Sequence, residues 1–377
     1  MSNWTGKYVI GLTGNIATGK SVICRMLGHL GAYTVDADVL SHRAISKDGP
    51  AYPAVVDFFG KFILQPNGEI DRQKLGRIVF SDSQALAELE KQIHPYVTQA
   101  VDILIKRSRQ QVAVIEAIKL LEGNLVQACD SVWVVFAPER IQKERLMIKR
   151  GMLEAEALQR IHAQASQKDK IAAADVIITN TGSFSETWQQ VVSAWEKIPV
   201  VAESPKIKEL PVDTDEFNVI RGHPRDSSRI ADFINQSHNG GDMVTETDVM
   251  NQFGDMAFLL LQHGNSLVGL AAWQVENLVA RILHVYLDKG IDKKMGLTCL
   301  IKELERASTD LQCEASLVFL PAGEPNPDET WLELGYKPKT INAMIVEAWK
   351  EAAIESKPPG TIMLFKQLRE DRVLHPI

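Results

Sequence analysis

One segment of the sequence, Gly14–Ser21, has residue types and a spacing that could bind the phosphates of a nucleotide. It reads G-N-I-A-T-G-K-S and fits the pattern G-x-x-x-x-G-K-[ST] without a mismatch. Its glycines allow backbone N–H groups to converge on one anion, and the helix that follows adds the positive end of its dipole. Lys20 would reach the β- and γ-phosphates, and the Ser21 hydroxyl would hold Mg²⁺. The predicted ATP contacts in this phosphate loop are Gly14, Asn15, Ile16, Ala17, Thr18, Gly19, Lys20 and Ser21.

Two carboxylates, Asp36 and Asp38, follow the short apolar run Tyr33–Val35 and could supply a general base. If that run is a strand, D-A-D lies at the strand ends, where ligands collect in sheets of this kind. Asp38 could then take a proton from an acceptor hydroxyl as that oxygen attacks the γ-phosphate. Taken alone, D-A-D is more typical of a solvated turn. Glu116, at the end of another predicted strand, could help to hold Mg²⁺ through water, but we expect it simply to begin the next helix.

Basic residues gather in a predicted helical stretch, Glu139–Lys170, which is interrupted at Gly151. They are Arg140, Lys143, Arg145, Lys149, Arg150, Arg160, Lys168 and Lys170. On a mobile lid, arginines would neutralise charge on the phosphoryl group in transfer. Spacing alone favours a solvated charged face. The guanine-selective N-K-x-D motif does not occur in the sequence, and its absence argues against a switch-type GTPase.

These residues need a sheet and helices to bring them together, and the first half of the sequence predicts both. The predicted strands are Tyr8–Leu12, Tyr33–Val35, Val112–Ile115, Ser131–Phe136 and Val176–Thr179. The predicted helices are the stretch from Lys20 to about Gly31, Gln73–Phe80, Gln84–Arg109 and much of Pro138–Ala174. Alternation of strands and helices predicts an α/β fold, with a mainly parallel sheet covered by helices on both faces.

A proline-containing segment, Pro199–Glu216, divides the chain. It holds three prolines but no glycine and no aromatic residue, which is typical of an extended connector. We predict a first domain over residues 1–198, a linker over 199–215 and a second domain over 216–377. Residues 1–198 carry a net charge of +2 and the remainder −9. Neither half therefore has the basic surface typical of a nucleic-acid-binding protein.

The second half predicts a mixed sheet with few helices. Its predicted strands are Phe217–Arg221, Ala257–Gln262, Ser266–Val275, Ala280–Leu287, Ala315–Phe319 and Thr361–Phe365. The predicted helices are Ser227–Ser237, Leu297–Ala307, Trp331–Tyr336 and Asn342–Ala353. Gly290 and Gly296 are expected in the turn before the second of these helices. Largely antiparallel strands with few helices indicate an α+β layer.

The composition of the 377 residues, 45% hydrophobic and 24% charged, is that of a globular protein. The sequence has no apolar stretch of membrane-spanning length and no visible secretory signal. We therefore expect a cytoplasmic protein without a membrane or nucleic-acid partner. Its four cysteines are widely spaced and are expected to be reduced thiols.

Beyond the phosphate loop, further blocks of the first half resemble the dephospho-CoA kinase family. In family order, the blocks are I-G-L-T-G-N-I-A-T-G-K-S, V-D-A-D-V-L, Gly68–Phe80, Ile93–Pro95, Glu144–Met152, Arg160–Gln164 and Ala174–Ser183. They cover essentially all of residues 7–198. The resemblance implies a P-loop NTPase fold with a helical lid, similar to that of the nucleoside monophosphate kinases. It also implies ATP-dependent phosphorylation of the ribose 3′-hydroxyl of dephospho-CoA, the last step of coenzyme A synthesis.

The resemblance also implies roles for individual residues. The implied catalytic residues are Lys20, Asp38 and Arg145, which match the phosphate-loop lysine, the catalytic aspartate and the lid arginine of the family. Arg150 and Gln164 match further lid positions, and Asn180 lies where the family approaches the adenine end of ATP. The implied cofactors are ATP and Mg²⁺, with the metal held by Ser21 through ATP.

Two departures from the family pattern concern the acceptor substrate, dephospho-CoA. Ser41 and His42 stand where the family usually has Ala-Arg, so that Arg43 is displaced by one position. Lys119 replaces the proline of an I-P-L-L block. Both departures affect the details of acceptor binding and leave the phosphate site unchanged.

The element order of the second half resembles the N-acetyltransferase (GNAT) superfamily, including a late L-G-Y at Leu334–Tyr336. In that superfamily a Q/R-x-x-G-x-G/A turn caps the helix that receives the pyrophosphate of acyl-CoA. The matching stretch here, Lys293–Thr298, reads K-K-M-G-L-T and has Lys and Thr in place of the usual residues. The resemblance implies a possible acyl-CoA partner. The departures are as compatible with a degenerate structural, CoA-sensing or oligomerising domain as with a working transferase.

Two alternatives to a dephospho-CoA kinase remain open at this point. One is another P-loop kinase that acts on a different small molecule or on a nucleotide. The other is a nucleotide-binding regulator whose second half senses CoA. The preferred acceptor would separate the first alternative, and ATP binding without turnover would support the second.

Overall fold

A computed structural model describes residues 4–202, 217–237, 243–276, 278–321 and 329–370 of the chain. Within these residues the chain forms two sheets, one in each half. No helix of the described part is long and apolar enough to cross a membrane. The cytoplasmic location expected from the sequence stays a prediction.

The first sheet is fully parallel and has five strands. They are β1 (Tyr8–Thr13), β2 (Tyr33–Asp36), β3 (Val112–Glu116), β4 (Ser131–Phe136) and β5 (Val176–Thr179). The strand order is β2-β3-β1-β4-β5, so β1 lies at the centre and β2 forms one edge. Because parallel strands need crossover connections, helices follow each strand and cover the sheet. The predicted α/β fold with a parallel sheet is confirmed, and the bounds of β4 and β5 are those predicted.

Ten helices of the first half lie in the described residues. They are α1 (Lys20–His29), α2 (Ala37–Ala44), α3 (Tyr52–Phe59), α4 (Arg72–Ser81), α5 (Ser83–Arg107), α6 (Glu139–Arg150), α7 (Glu154–His162), α8 (Gln167–Ala172), α9 (Phe184–Trp195) and α10 (Pro199–Ala202). The apolar positions Ile23, Met26 and Leu27 of α1 are fully buried, as their helical spacing predicts. Gly151 ends α6 in the left-handed conformation, at φ 62°. The predicted interruption of the basic stretch is therefore present.

The predicted linker is described only at its start. Residues Pro199–Ala202 form the short helix α10, whereas the sequence predicts an extended connector from residue 199. The remainder of the segment, residues 203–216, lies outside the described residues. The domain limits 1–198 and 216–377 stay predictions.

The second sheet is mixed and has seven strands. They are β6 (Phe217–Arg221), β7 (Ala257–His263), β8 (Ser266–Glu276), β9 (Val279–Leu287), β10 (Ala315–Pro321), β11 (Lys337–Pro338) and β12 (Thr361–Gln367). The order is β11-β12-β10-β9-β8-β7-β6, and only β9 and β10 pair in parallel. The helices of this half are α11 (Ser227–Ser237), α12 (Glu246–Gln252), α13 (Lys293–Asp310), α14 (Glu329–Glu333) and α15 (Glu347–Ser356). The predicted α+β layer is confirmed.

One local prediction for this half is wrong. The sequence predicts Gly296 in a turn, but this residue lies inside α13, which begins at Lys293. Asp292 caps this helix by accepting a hydrogen bond from the Met295 amide at 2.7 Å. A Cβ atom at Gly296 would lie 2.7 Å from Ile291 Cδ1, so the glycine permits close packing there. Tertiary packing therefore outweighs the poor helix propensity of glycine.

The two halves contact each other along α1 and the residues that follow α12. His29 Nε2 lies 2.8 Å from the Phe253 carbonyl oxygen, and Nε2 carries the proton because a carbonyl oxygen only accepts. Arg25 Nε donates to the carbonyl oxygen of Gly254. Phe184, at the start of α9, packs against apolar clusters of both halves. A cavity of about 220 Å³ separates the edge strand β2 from β8 in the second half.

Candidate active site

The backbone of the phosphate loop requires glycine at two positions. Gly14 has φ 153°, and a Cβ atom there would lie 2.5 Å from the Val135 carbonyl oxygen. Gly19 has φ 97°, and a Cβ atom there would lie 2.1 Å from Asn180 Nδ2. Both approaches are far inside van der Waals contact, so no side chain fits without a shift of the loop. The loop thus has the compact backbone that its sequence pattern predicts.

The carbonyl groups of the loop are turned toward protein donors. Arg145 Nη1 donates to the carbonyl oxygens of Ala17 and Thr18, each at 3.1 Å. Asn180 Nδ2 donates to the same Thr18 oxygen at 2.8 Å, and Arg145 Nη2 donates to the Asn180 carbonyl oxygen at 3.0 Å. The carbonyl oxygens of Ala17 and Thr18 are therefore already paired with donors from the lid, which consists of helices α6–α8, and from Asn180, which follows β5. Arg145 and Asn180 therefore contact the predicted loop.

The donor side of the loop is open. The backbone N–H groups of Ala17, Gly19, Lys20 and Ser21 donate to no described residue. The Ile16 amide, by contrast, donates a hydrogen bond to Gln164 Oε1 at 2.7 Å. Four unused amides at a loop that leads into a helix N-terminus form a site for an anion. The Lys20 side chain is buried beside them, at 8% exposure.

Other predicted loop contacts have structural partners within the protein. Asn15 Nδ2 donates to the Ala165 carbonyl oxygen at 3.0 Å, which ties the loop to the lid. Thr18 Oγ1 donates to the Asn15 carbonyl oxygen at 2.8 Å. Arg150, the last residue of α6, is exposed and makes no hydrogen bond or ion pair with the described residues. The structure therefore does not bring Arg150 into contact with the loop, and its predicted role stays a prediction.

Asp38 lies in the first turn of α2, and Ile118 holds its carboxylate. The Ile118 amide donates to Asp38 Oδ2 at 3.0 Å. The carbonyl oxygen of Ile118 accepts from Lys170 Nζ at 2.6 Å and from Thr13 Oγ1 at 3.1 Å. The Lys170 side chain is 3% exposed, and burial lowers its pKa. One backbone unit therefore fixes both Asp38 and a buried lysine of the lid. Apart from its place in the basic stretch, nothing in the sequence indicates a role for that lysine.

Asp36 and Glu116 end the neighbouring strands β2 and β3 and face each other in register. Glu116 is 5% exposed, and its Oε1 atom accepts from Ser21 Oγ at 3.2 Å. Burial, and then the charge of Glu116, raises the pKa of Asp36 above the usual range for an aspartate. Burial also raises the pKa of Glu116. The expectation that Glu116 begins a helix is wrong, because β3 ends at this residue and the next helical turn starts at Leu120.

These groups suit a hard divalent cation bound together with phosphates. Two adjacent carboxylates and a hydroxyl are oxygen ligands of the kind Mg²⁺ takes, and Mg²⁺ usually completes its shell with water and substrate phosphates. A cation would also offset the burial and the repulsion between carboxylates that raise these pKa values. No cluster of three or more His, Cys, Asp or Glu side chains suited to a metal occurs in the described part of the chain. The residues fit a metal carried by the nucleotide rather than a closed protein cage.

Comparison with known proteins agrees with this site. The family model for dephospho-CoA kinase matches residues 8–186. The dephospho-CoA kinase of Carboxydothermus hydrogenoformans is 40% identical over 192 residues, which are 50% of this chain and 93% of that protein. The enzyme of Aquifex aeolicus is 41% identical over 190 residues, which are 50% of this chain and 96% of that protein. The chain belongs to the dephospho-CoA kinase family.

The dephospho-CoA kinase unit is the first half of the chain, and it is a phosphotransferase of an ATP-using family. The kinase half contains the parallel sheet, the phosphate loop and the lid helices described above. The predictions of this family and of this activity are confirmed. The roles of the individual residues are not tested by the comparisons.

Solved structures of acetyltransferases also match part of the chain. The ribosomal-protein-S18-alanine N-acetyltransferase of Escherichia coli is 13% identical, with a TM-score of 0.33, and the match covers 42% of this chain and 97% of that one. At this identity the match says nothing about the activity of the second half.

Proposed function

We propose that Asp38 is the base of the kinase reaction and that Lys20 and Arg145 hold the transferring phosphates. Asp38 takes the proton of the ribose 3′-hydroxyl of dephospho-CoA as that oxygen bonds to the γ-phosphorus of ATP and the bond to ADP breaks. The observation that carries the proposal is the hydrogen bond from the Ile118 amide to Asp38, which holds the carboxylate at the ends of the strands. Lys170 donates a hydrogen bond to the same residue, Ile118, and lies close enough to Lys20 and Asp38 for their charges to affect its pKa.

We propose that the open amides of the phosphate loop bind the β- and γ-phosphates of ATP. Gly19, Lys20 and Ser21 stand at the N-terminus of α1, where the helix dipole favours an anion. Arg145 keeps the loop carbonyls turned away from the nucleotide and adds a positive charge on the lid side. Asn180 supports the same arrangement from the end of β5.

We propose that Ser21 and Glu116 hold Mg²⁺, with Asp36 beside them. When bound, the metal neutralises charge on the phosphates and orients them. The Ser21 hydroxyl donates a hydrogen bond to the Glu116 carboxylate, so the two proposed oxygen ligands already lie next to each other at the end of β3. The carboxylates remain ionised when a cation lies between them, because the cation offsets the effect of burial on their pKa values.

The role of Asp38 is tested by Asp38→Asn in the full chain. The amide cannot accept a proton, so we expect kcat with dephospho-CoA to fall by roughly 10²- to 10⁴-fold. The Kd for ATP should stay close to that of the wild type, because the phosphate loop is untouched. A coupled assay of ADP release measures the turnover.

The control is Asp57→Asn, which changes an exposed carboxylate on α3. It should leave kcat within about twofold of the wild type, since surface substitutions rarely matter. Wild-type turnover by Asp38→Asn would contradict the proposed base. A panel of acceptors in the same assay, including nucleoside monophosphates, would show whether dephospho-CoA is the preferred substrate.

An acyl-CoA site in the second half has less support. The Asp292 carboxylate already accepts the Met295 amide at the N-terminus of α13, where a pyrophosphate would otherwise bind. Asp288 accepts the Gly290 amide at 2.6 Å in the preceding turn. The Met295 amide is therefore not free to bind a phosphate oxygen. We therefore assign the proposed chemistry to the first half alone.

A further inference from the structure

A buried ion pair joins the two halves at the end of α2, the helix that carries the proposed base Asp38. Arg43 Nη2 donates to both carboxylate oxygens of Glu314, at 2.8 and 2.6 Å. Trp349 Nε1 donates to Glu314 Oε2 at 3.1 Å. The side chain of Glu314 is fully buried, and that of Arg43 is 9% exposed. Arg43 belongs to the kinase half, whereas Glu314 and Trp349 belong to the second half.

Glu314 is fixed by the strands of the second sheet. It directly precedes β10, and its backbone amide donates to the Leu278 carbonyl oxygen at 2.7 Å. Its carbonyl oxygen accepts from the Leu368 amide at 2.9 Å, next to the end of β12. The backbone of Glu314 is therefore held on both sides by the sheet, so its carboxylate can fix the position of the Arg43 guanidinium that donates to it.

Arg43 lies on the helix that carries Asp38. The helix α2 has eight residues, and Asp36 caps it by accepting from the Val39 amide at 2.9 Å. Arg43 follows Asp38 by five positions, which places it about 7.5 Å further along the helix axis at 1.5 Å per residue. A helix this short is not stable by itself, so its position depends on its tertiary contacts. The contact at Glu314 holds the end of α2 opposite to the base.

The energetics of the pair favour a positioning role over a stabilising one. Moving two charges from water into the protein costs several kcal/mol per ion, and the mutual attraction often only offsets that cost. Arg43 Nη1 is also buried and has no hydrogen-bond partner in the described residues. A pair of this kind contributes little net stability, but it permits only one arrangement of the two side chains.

We propose that Glu314 is a positioning residue for the kinase reaction, holding α2 through Arg43 and thereby setting the place of Asp38. This inference rests on the proposed role of Asp38. It gives the second half a part in phosphoryl transfer that needs no substrate of its own. The displaced Arg43, a departure from the family pattern, then has its partner in the second half of the chain.

The test replaces both members of the pair in the full chain, as Arg43→Met with Glu314→Met. Apolar side chains often substitute for a buried pair without loss of stability. We therefore expect the midpoint of urea unfolding to fall only modestly, because Trp349 Nε1 loses its acceptor. The Kd for Mg·ATP should also stay unchanged, since the phosphate loop is not altered. We expect kcat with dephospho-CoA to fall by about tenfold or more, because a small displacement of a catalytic group is costly.

Two further variants complete the design. Glu314→Gln keeps the shape and the acceptor oxygen but removes the charge, and we expect a severalfold smaller kcat with an unchanged Kd for Mg·ATP. The matched control is Glu351→Gln, which breaks the exposed pair between Arg72 and Glu351 across the same two halves. It should leave kcat within about twofold of the wild type, as exposed pairs contribute little.

Wild-type kcat and KM in a folded double variant would overturn the proposal. If the double variant is not folded, wild-type kcat in Glu314→Gln would overturn it instead. Asp38→Asn in the same assay separates this inference from the proposed function. Full turnover in that variant overturns the role of Asp38, whereas its loss combined with wild-type turnover in the Glu314 variants overturns only the role of Glu314.

Discussion

The side chains around the phosphate loop are held mainly by backbone groups rather than by each other. Arg145 and Asn180 bond to loop carbonyls, and Asp38 and Lys170 bond to the two ends of Ile118. A backbone partner keeps its place when a neighbouring side chain changes. We therefore expect substitutions here to act locally, with little effect on the rest of the site.

The first prediction at this scale is that Gly19→Ala weakens ATP binding strongly. The new Cβ atom would lie 2.1 Å from Asn180 Nδ2, in a residue at φ 97° that alanine rarely adopts. Either the loop or Asn180 must move, and the amides then lose their common direction. We expect the Kd for ATP to rise by at least about tenfold, measured by isothermal titration calorimetry.

The control for this prediction is Gly28→Ala, in the last turn of α1. A Cβ atom there meets nothing nearer than 4.0 Å, so alanine should fit. It should leave ATP binding unchanged and raise the free energy of unfolding by up to about 1 kcal/mol, through its better helix propensity. An unchanged Kd in Gly19→Ala would contradict the fit of the loop around Asn180.

The sequence predicts the loop residues but not all the side chains near them. The phosphate loop is a local pattern, so its eight residues can be read directly from the chain. The role of Lys170 depends on a contact with Ile118, which is 52 positions away. Glu116 depends likewise on Ser21, 95 positions away. Local spacing carries no information on such contacts, which only the strand order creates.

At the level of elements, helix starts follow capping residues. Asp82 caps the long helix α5 by accepting from the Gln84 and Ala85 amides at 2.8 and 3.2 Å. Asp292 does the same for α13. The cap at Asp292 could have corrected the predicted start of that helix, because an aspartate before a helical run is a start signal. Reading Gly290 and Gly296 as turn residues placed the start of the helix at Leu297, four residues too late.

We predict that Asp82→Ala destabilises the protein without altering the site. Loss of the cap leaves two amides of α5 with only solvent as partner, which should cost about 1 kcal/mol in the free energy of unfolding. Urea unfolding measures the change. Asp82→Asn should retain most of the stability, because its oxygen can still accept these amides. Equal losses in both variants would show that the cap is not the cause.

At the scale of the whole molecule, the interface between the halves includes a buried histidine. Burial, and then the charge of the nearby Arg221, lowers the pKa of His29 to about 3. The ring donates from Nε2 to Phe253, and Nδ1 has no partner among the described residues. A proton on Nδ1 would thus be a buried donor without an acceptor. His29 is neutral in the folded protein.

This neutrality makes the stability of the protein depend on pH. The folded pKa of His29 lies below its ordinary value of 6.5, so the unfolded chain binds a proton first as the pH falls. The stabilising contribution is complete above pH 6.5 and is lost progressively toward pH 3. At pH 5 the loss should be about 2 kcal/mol, at about 1.4 kcal/mol per pH unit.

The prediction is measured by urea unfolding at pH 7 and at pH 5 for the wild type and for His29→Gln. Glutamine can donate to Phe253 but does not titrate, so the variant should lose about 2 kcal/mol less than the wild type over this range. The exposed His162, changed to Gln, is the control and should keep the wild-type dependence. Equal losses in the wild type and His29→Gln would contradict a neutral His29.

The contacts between the two halves could not be predicted from the sequence. Proline spacing predicts that the chain divides near residue 199, and strand patterns predict the two sheets. Arg43 and Glu314 are 271 positions apart, and neither lies in a pattern that points to the other. Which surfaces of two domains meet depends on the shapes of both, and periodicity within each half cannot predict it.

The position of β2 has a practical consequence. This four-residue strand ends the parallel sheet, and the second half lies across it, on the far side of the cavity. A kinase fragment made without residues 217–370 would open this cavity, and with it the unpaired edge of β2, to other molecules. Aggregates of such a fragment would reflect an uncovered sheet margin, even where every helix and strand had formed correctly.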